Sequence, residues 1–352
     1  MLTHECKGNA SYKHLSIKQE NIDLYYKNKS RIFATVPKFI AILSVIIYHV
    51  ENYLIDNQII YSFINTYFLS LFFIISGLLL KSEKSLQKGW LKRQAVRLML
   101  PFFTCFIAYN LFIGALYREH FFNANDFADT KSGYWFLLTL FEFLCVYRCL
   151  IGLISRTSNL LIKILILFSP FVVVNLLCVF LPADISCWLS LMSFRRYYLF
   201  FAAGYALSNI FKGDNIENNK VWIVSSILYI LGTLYYVQYV KSVDGIIDLV
   251  IWILTNFVGC HFWLCLCRRF EKNFSNPIVL NIGRNTMGIY TLHYFPLRCL
   301  QYLHDNGFIN GVNLASTCYF CLSVLVIISL AYCMTILAGC NKYSSIVFLG
   351  KV

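Results

Sequence analysis

Lys38 and His49 are the residues of this chain whose types and spacing best suit chemistry. They lie eleven positions apart in one apolar run, which on a helix is three turns plus roughly 20°. Both side chains therefore fall on one stripe, about 16 Å apart along the axis. A lysine can hold an anion, and imidazole moves protons readily near neutral pH. The competing interpretation is structural, with His49 bonded to a neighbouring helix and Lys38 extended to the interface.

Arg93 and Arg97 form a second candidate site, just before an apolar run that contains Pro101. Four positions apart on a helix, they face the same way. Guanidinium groups bind phosphate bidentately, so the pair predicts a phosphate-bearing ligand, although positive charge also anchors helices at membranes. Ser76 and Gly77 precede this segment and are either a small step beside a ligand or a point of close helix packing.

Further candidates are ionisable or aromatic groups within apolar runs, where a charge is costly and often marks a site. Glu142 needs a partner or a proton. It is a catalytic candidate that could orient or charge-balance His49, and whether the two side chains meet stays open. The remaining candidates form a further expected ligand-binding site, and each also has a structural interpretation, as an interfacial anchor or a buried histidine. They are Trp135, Arg195, Arg196 and His293.

Composition narrows the class of protein. Of 352 residues, 59% are hydrophobic and only 13% charged, with a net charge of +13 and a mean hydropathy of +0.63. Soluble domains carry about 25% charged residues, and disordered chains lack aromatic and aliphatic side chains. A basic soluble nucleic-acid binder would not be this apolar. The composition therefore predicts a polytopic membrane protein.

The apolar runs predict an all-α bundle of about ten transmembrane helices, since each span needs roughly 20 apolar residues. The sixth run is the weakest because Arg195 and Arg196 interrupt it. The predicted spans are 36–54, 59–80, 99–117, 134–154, 160–181, 188–210, 221–240, 246–267, 278–302 and 312–339.

Lysine and arginine divide unevenly between the two sides of this arrangement. Counted along the ten spans, 24 lie on the side of both termini and 6 on the other side. The positive-inside rule therefore predicts that both termini are cytoplasmic. The basic balance needs no nucleic-acid partner. We expect a cytoplasmic tail over residues 1–35, with a short interfacial helix near 22–33, a membrane domain over 36–340 and a C-terminal cytoplasmic tail over 341–352.

Cysteine usage does not point to a disulfide framework or a metal centre. Most of the 14 cysteines lie inside apolar runs, where they act as small hydrophobes. Cys318 and Cys321 form a CxxC within one such run, without a second pair or a basic neighbour. We therefore predict no metal site.

These residues, in this order, resemble the acyltransferase 3 family, and the resemblance covers roughly residues 31–340. The segments that carry it are Lys38-x10-His49, Phe72-Phe73-Ile74-Ile75-Ser76-Gly77, Arg93/Arg97/Pro101, Trp135-Phe136-Leu137, Phe200-Phe201-Ala202-Ala203-Gly204-Tyr205 and Ile289-Tyr290-Thr291-Leu292-His293.

The resemblance implies a multi-pass enzyme of the cytoplasmic membrane that moves an acyl group from acyl-CoA, with acetyl-CoA as the expected donor, to a surface glycan or lipid-linked sugar. His49 maps onto the family's general base, and Arg93 and Arg97 onto its CoA phosphate contacts. With Lys38, Ser76 and Gly77, they form the expected donor site. Leu78 stands where the family commonly has phenylalanine, and the appended hydrolase-like domain of many members is absent.

Two other functions remain open from the sequence. The same cationic groups would suit a transporter or flippase for a glycolipid or anionic sugar. A structural or sensory protein would leave the alignment of Lys38 with His49 unexplained. The acceptor, the acyl chain and the side on which transfer occurs stay open, as does the oligomeric state, a homodimer included.

Overall fold

The computed structural model describes residues 34–55, 58–118, 131–211, 219–239, 246–274, 276–307 and 317–351. All regular structure in these residues is helical, with no strand. In chain order the helices are Ala34–Ile55 (α1), Gln58–Asn65 (α2), Phe68–Leu78 (α3), Ser82–Ser85 (α4), Trp90–Tyr117 (α5), Trp135–Arg156 (α6), Leu160–Phe180 (α7), Ala183–Trp188 (α8), Leu191–Tyr205 (α9), Asn219–Tyr239 (α10), Ile246–Arg269 (α11), Glu271–Phe274 (α12), Pro277–Arg284 (α13), Thr286–Leu292 (α14), Tyr294–Asp305 (α15), Thr317–Cys340 (α16) and Lys342–Leu349 (α17).

The predicted helical membrane bundle is confirmed. Within the described residues, 8 helical segments are long and apolar enough to cross a membrane. They are α1, α2 with α3, α5, α6, α7, α10, α11 and α16. The other two predicted spans, 188–210 and 278–302, are helical but shorter or interrupted. The count of ten spans and the cytoplasmic placement of the termini stay predictions.

The two interrupted segments have identifiable local causes. α9 begins only at Leu191 and passes into a π-helical turn at Ala206–Ile210. The other segment is divided into α13, α14 and α15 by Asn285 and His293. Pro296 follows in the first turn of α15, where its missing N–H costs little. Broken helices at membrane depth occur where backbone is covered by protein or lines a cavity, so this segment is a natural place for a site.

α1 lies at the centre of the bundle, with Ala41, Ile42 and Ile46 fully buried. α7 and α10 lie at its edge and expose most of their apolar side chains, as helices in lipid do. Ser44 Oγ on α1 shares a hydrogen bond of 2.8 Å with the Tyr67 hydroxyl. The central position of α1 means that its polar residues can be reached only through internal cavities.

Gly77 and Gly204 let α3 and α9 approach at backbone contact. A Cβ on Gly77 would lie 2.1 Å from the Phe201 carbonyl oxygen, and one on Gly204 would lie 2.1 Å from the carbonyl oxygen of Ile74. Small residues at membrane helix interfaces permit this kind of packing. Close helix packing therefore explains why residue 77 is glycine. This is one of the two interpretations that the sequence left open, and it requires no contact with a ligand.

Of the two predicted tails, the structure describes mainly the C-terminal one. Residues 1–33 lie outside the described residues, and with them the predicted interfacial helix. At the other end, α17 falls within the predicted C-terminal tail and packs against α5, α14 and α16. Asn341 caps α17 through a hydrogen bond from the Tyr343 N–H to Asn341 Oδ1 of 2.8 Å. This end of the chain is thus packed onto the helix that carries Arg93 and Arg97.

We predict that Gly77→Ala lowers the thermal stability of the purified protein. The added Cβ meets backbone that cannot move aside, and overpacking of this kind costs about 1–3 kcal/mol. Gly152→Ala is the matched control, since a Cβ there has nothing within 4 Å. Thermal unfolding in detergent should show a lower midpoint only for Gly77→Ala. Equal midpoints for the two variants would contradict the packing described for α3 and α9.

Candidate functional site

The first cavity, of about 830 Å³, contains His49 and is called the His49 cavity. It lies where the C-terminal half of α1 meets α5, α9, α15 and the turn before α6. Predicted site residues on its lining are His49, Trp135, Arg195 and Arg196. The structure therefore brings these four residues together around one space.

His49 makes one side-chain hydrogen bond that fixes its ring. The Tyr294 hydroxyl lies 3.0 Å from His49 Nε2. His49 Nδ1 is buried and has no hydrogen-bond partner in the described residues. A buried nitrogen left without a partner is unusual in native structures and often has a catalytic role. One nitrogen is thus held in place, and the other is free to exchange a proton.

Tyr294 is positioned by an unusual turn. Lys131, Ser132 and Gly133 have φ values of 50°, 50° and 87°, and the Gly133 carbonyl accepts a hydrogen bond of 3.4 Å from the Tyr294 hydroxyl. A Cβ on Gly133 would lie 2.1 Å from that hydroxyl, so only glycine fits. The sequence analysis did not identify Tyr294 or Gly133. The neighbouring His293-Tyr294 pair was the one available signal.

His293 lies beside His49 but does not line the cavity. Its ring is fully buried, and the two imidazole centroids are 5.2 Å apart. His293 Nδ1 lies 2.7 Å from the Tyr290 carbonyl oxygen, which fixes the proton on Nδ1. Its Nε2 is buried without a partner in the described residues. His293 therefore packs beside the His49 ring and outside the lining of the His49 cavity, and its predicted contact with a substrate stays a prediction.

Glu142 does not line the His49 cavity, and its Oε2 is buried without a hydrogen-bond partner in the described residues. It follows Trp135 by two turns of α6, about 10 Å along the helix axis. The hydrogen bond at the His49 ring is shared with Tyr294. A contact between Glu142 and His49 stays a prediction.

Two cations of the His49 cavity were missed by the sequence analysis, Lys131 and Arg298. Lys131 is only 1% exposed, and its Nζ donates a hydrogen bond of 2.7 Å to the Cys187 carbonyl. Arg298 Nε donates to the Tyr109 hydroxyl over 2.7 Å, and the guanidinium stacks on Tyr53 with a centroid distance of 4.1 Å. Both lie on the side of the predicted membrane that has few lysines and arginines. From the sequence, that position was used only to assign the topology.

A second cavity, of about 380 Å³, lies at the opposite end of α1 and is called the Lys38 cavity. Lys38, Ser76 and Arg97 line it together with apolar side chains that include Phe72 and Leu140. Its lining thus combines cationic groups with many apolar side chains. Lys38 and His49 thus lie in different cavities of one helix.

A third cavity, of about 460 Å³, adjoins the Lys38 cavity and is called the C-terminal cavity. Arg97 lines both, whereas Arg93, Arg284 and Lys351 line only the third. Gly350 has a φ of 59° and lies against the backbone of Arg97, which brings Lys351 to the site. Arg284 and Lys351 were not singled out by sequence because their convergence with Arg93 on one cavity depends on tertiary packing.

Neighbouring aromatic residues line the Lys38 and His49 cavities. Phe136 and Tyr290 line the Lys38 cavity, and Trp135, next to Phe136 in the chain, lines the His49 cavity. The Tyr290 hydroxyl donates a hydrogen bond of 2.8 Å to the carbonyl of Gly133, which lines the His49 cavity. We call Phe136, Tyr290 and Trp135 the aromatic wall, because the linings of the two cavities meet at these residues.

The fold and the cavities define a multi-pass membrane protein with polar cavities inside the helical bundle. The family model of the acyltransferase 3 family, described as an acyltransferase domain, matches residues 35–333. Since this match covers most of the chain, the protein belongs to that family and is a membrane acyltransferase. No curated protein and no solved structure matches the chain.

We predict that Tyr294→Phe lowers the rate of acyl transfer about tenfold, as expected for the loss of one buried hydrogen bond to the His49 imidazole. The ring packing is retained, so the thermal midpoint should change little. Steady-state kinetics and thermal unfolding on the same preparation provide the two readouts.

Tyr198→Phe is the control for this change. The Tyr198 hydroxyl also donates to a buried acceptor, the Leu167 carbonyl at 3.0 Å, but it lines neither the His49 nor the Lys38 cavity. We expect the control to keep the full rate. Equal loss of activity in both variants would show that Tyr294 acts only through stability.

Proposed function

We propose that the protein is an O-acyltransferase that moves an acyl group, acetyl being the expected one, from acyl-CoA to a hydroxyl of a surface glycan or lipid-linked sugar. The observation that carries the proposal is the pair of dissimilar cavities that meet at the aromatic wall beside His49. The Lys38 cavity, of about 380 Å³, is the smaller and combines cations with apolar side chains, whereas the His49 cavity, of about 830 Å³, is lined by several amide, hydroxyl and cationic groups. These sizes and linings suit a thin anionic donor and a larger hydroxylated acceptor.

The donor fits the Lys38 and C-terminal cavities by chemistry and by length. CoA carries several phosphates at one end of a thin pantetheine arm. Arg93, Arg97, Arg284 and Lys351 offer four cations around the C-terminal cavity, and guanidinium forks suit phosphate. The arm would follow the apolar walls past Lys38 and Ser76. The rise of α1 from Lys38 to His49, about 16 Å, is a length that an extended pantetheine arm can cover.

His49 is the proposed general base. The acceptor hydroxyl oxygen attacks the thioester carbonyl, the new C–O bond forms as the C–S bond breaks, and the hydroxyl proton passes to His49 Nδ1. The departing CoA thiolate then receives that proton and leaves as the thiol. Tyr294 holds Nε2 so that Nδ1 keeps its direction. Nδ1 is assigned this role because it lacks a partner in the described residues.

The direction of transfer follows from the predicted topology. The C-terminal cavity lies at the end with the basic connections, which the positive-inside rule places in the cytoplasm, where CoA is found. The His49 cavity would then face the outside of the cytoplasmic membrane and receive a cell-envelope acceptor. Acyl transfer would take place at the aromatic wall, without movement of CoA across the membrane.

We expect His49→Ala to lower acetyl transfer by at least about a hundredfold, the usual contribution of a positioned general base. Acetyl-CoA binding should be unchanged, because the imidazole lies beyond the proposed nucleotide site. The rate is measured as labelled acetyl transferred from acetyl-CoA to isolated cell-surface glycans, and binding by calorimetry. Transfer at the full rate by His49→Ala would rule out the role of His49 as base.

We expect Arg97→Gln to weaken acetyl-CoA binding about tenfold, since one charge-assisted hydrogen bond to phosphate is lost. Lys351→Gln should reduce the preference for acetyl-CoA over its 3′-dephospho form, because fewer cations then face that phosphate. Arg156→Gln, at the same end of the bundle but outside the three cavities, should behave as the unmodified protein. Absence of acetyl-CoA binding by the unmodified protein would favour transport of a glycolipid or anionic sugar over acyl transfer.

A further inference from the structure

The cations of the His49 cavity are not explained by membrane topology. Only 6 of the 30 lysines and arginines fall on that side of the ten predicted spans. Four of these line the His49 cavity, namely Lys131, Arg195, Arg196 and Arg298. The positive-inside rule disfavours basic residues on this side, and it gives no reason for them to converge on one space. The convergence of these four cations on one cavity therefore indicates a ligand-binding site.

The cavity contains no acidic counterpart among its described lining residues. Lys131 lies within electrostatic range of Glu142, so the argument rests on the three arginines. The side chain of Arg298 donates hydrogen bonds to the neutral groups Tyr109, Gln301 and Tyr53, and Arg196 lies 5.5 Å from the centroid of the Trp252 ring. Positive charge held together at membrane depth is costly unless an anion neutralises it.

The remaining lining suits a sugar. Trp135 and Tyr197 stack on each other at 5.7 Å and present aromatic surface, while amide and hydroxyl groups surround the opening. These polar residues are Asn52, Asn110, Ser132, Ser186 and Ser193. Ligand sites combine apolar and aromatic walls with a few polar groups that fix orientation. Aromatic faces and many neutral hydrogen-bonding groups match a ring with several hydroxyls.

We propose that the acceptor is an anionic sugar, with a carboxylate or phosphate held by Arg195, Arg196 and Arg298 while one of its hydroxyls faces His49. The proposal rests on the proposed acyl transfer, and it names the acceptor class for that site. Arginine suits either oxyanion because its planar fork pairs with two oxygens at once. The charged group would serve to orient the sugar, since a hydroxyl on its own gives little direction to binding.

The test compares acidic sugars with a neutral glucoside, bound to the purified full chain in nanodiscs and measured by calorimetry. Methyl glucuronide against methyl glucoside tests a carboxylate, and glucose 1-phosphate against methyl glucoside tests a phosphate. We expect at least one acidic sugar to bind about tenfold more tightly than its neutral partner, as charge-assisted hydrogen bonds predict. The pair that shows the difference identifies the oxyanion.

The variant Arg196→Gln should abolish this difference by weakening binding of the acidic sugar. Arg196 is exposed within the cavity, so the change is compatible with folding, and Arg195→Gln is the second variant. Arg118→Gln is the matched control because Arg118 is another cation of the same side but lies outside the His49 cavity. It should keep the full preference for the acidic sugar.

Two results would overturn the proposal. One is equal binding of the acidic and neutral sugars, absence of binding by both included. The other is a preference for the acidic sugar that Arg196→Gln and Arg195→Gln leave intact. An acetyl-CoA titration of the same samples separates this proposal from the proposed function. Preference for the acidic sugar without acetyl-CoA binding would support the anion site and contradict acyl transfer.

Discussion

The hydrogen bond between the Tyr294 hydroxyl and His49 Nε2 joins the central helix α1 to α15 inside the bundle. Polar groups at this depth have no water to replace a lost partner, so such a bond strongly constrains the helices that supply it. Tyr294 in turn needs Gly133, since any larger residue there would collide with its hydroxyl. The orientation of the His49 imidazole, the proposed general base, thus depends on three elements that are far apart in sequence.

The aromatic wall relates the hydrogen bond between Tyr294 and His49 to the proposed function. Its members hold apart two cavities that suit different molecules, and the Tyr290 hydroxyl is bonded to Gly133, the same residue that contacts Tyr294. A shift of Tyr290 would therefore act on Gly133, whose carbonyl also contacts the Tyr294 hydroxyl beside His49. In the proposed mechanism only the acyl group crosses this thin layer, so neither donor nor acceptor needs to cross the membrane.

Sequence could predict what depends on local pattern. The helical membrane bundle followed from apolar runs, and the alignment of Lys38 with His49 followed from helical spacing. It could not predict contacts set by tertiary packing, such as Tyr294 with His49 or Lys351 with the cavity of Arg93. Glu142 shows the same limit, because its place on α6 was clear but its distance from His49 depended on how α6 meets α1. The role of Gly77 was ambiguous because contact with a ligand and close helix packing both favour glycine.

The central claim is that donor and acceptor reach one reacting centre from opposite ends of the bundle. A cryo-EM structure of the full chain with a non-hydrolysable thioether analogue of acetyl-CoA tests it most directly. The account predicts that the nucleotide lies among Arg93, Arg97, Arg284 and Lys351, with the pantetheine arm in the Lys38 cavity and the acetyl group at the aromatic wall beside His49. A nucleotide bound among Arg195, Arg196 and Arg298 in the His49 cavity would contradict it.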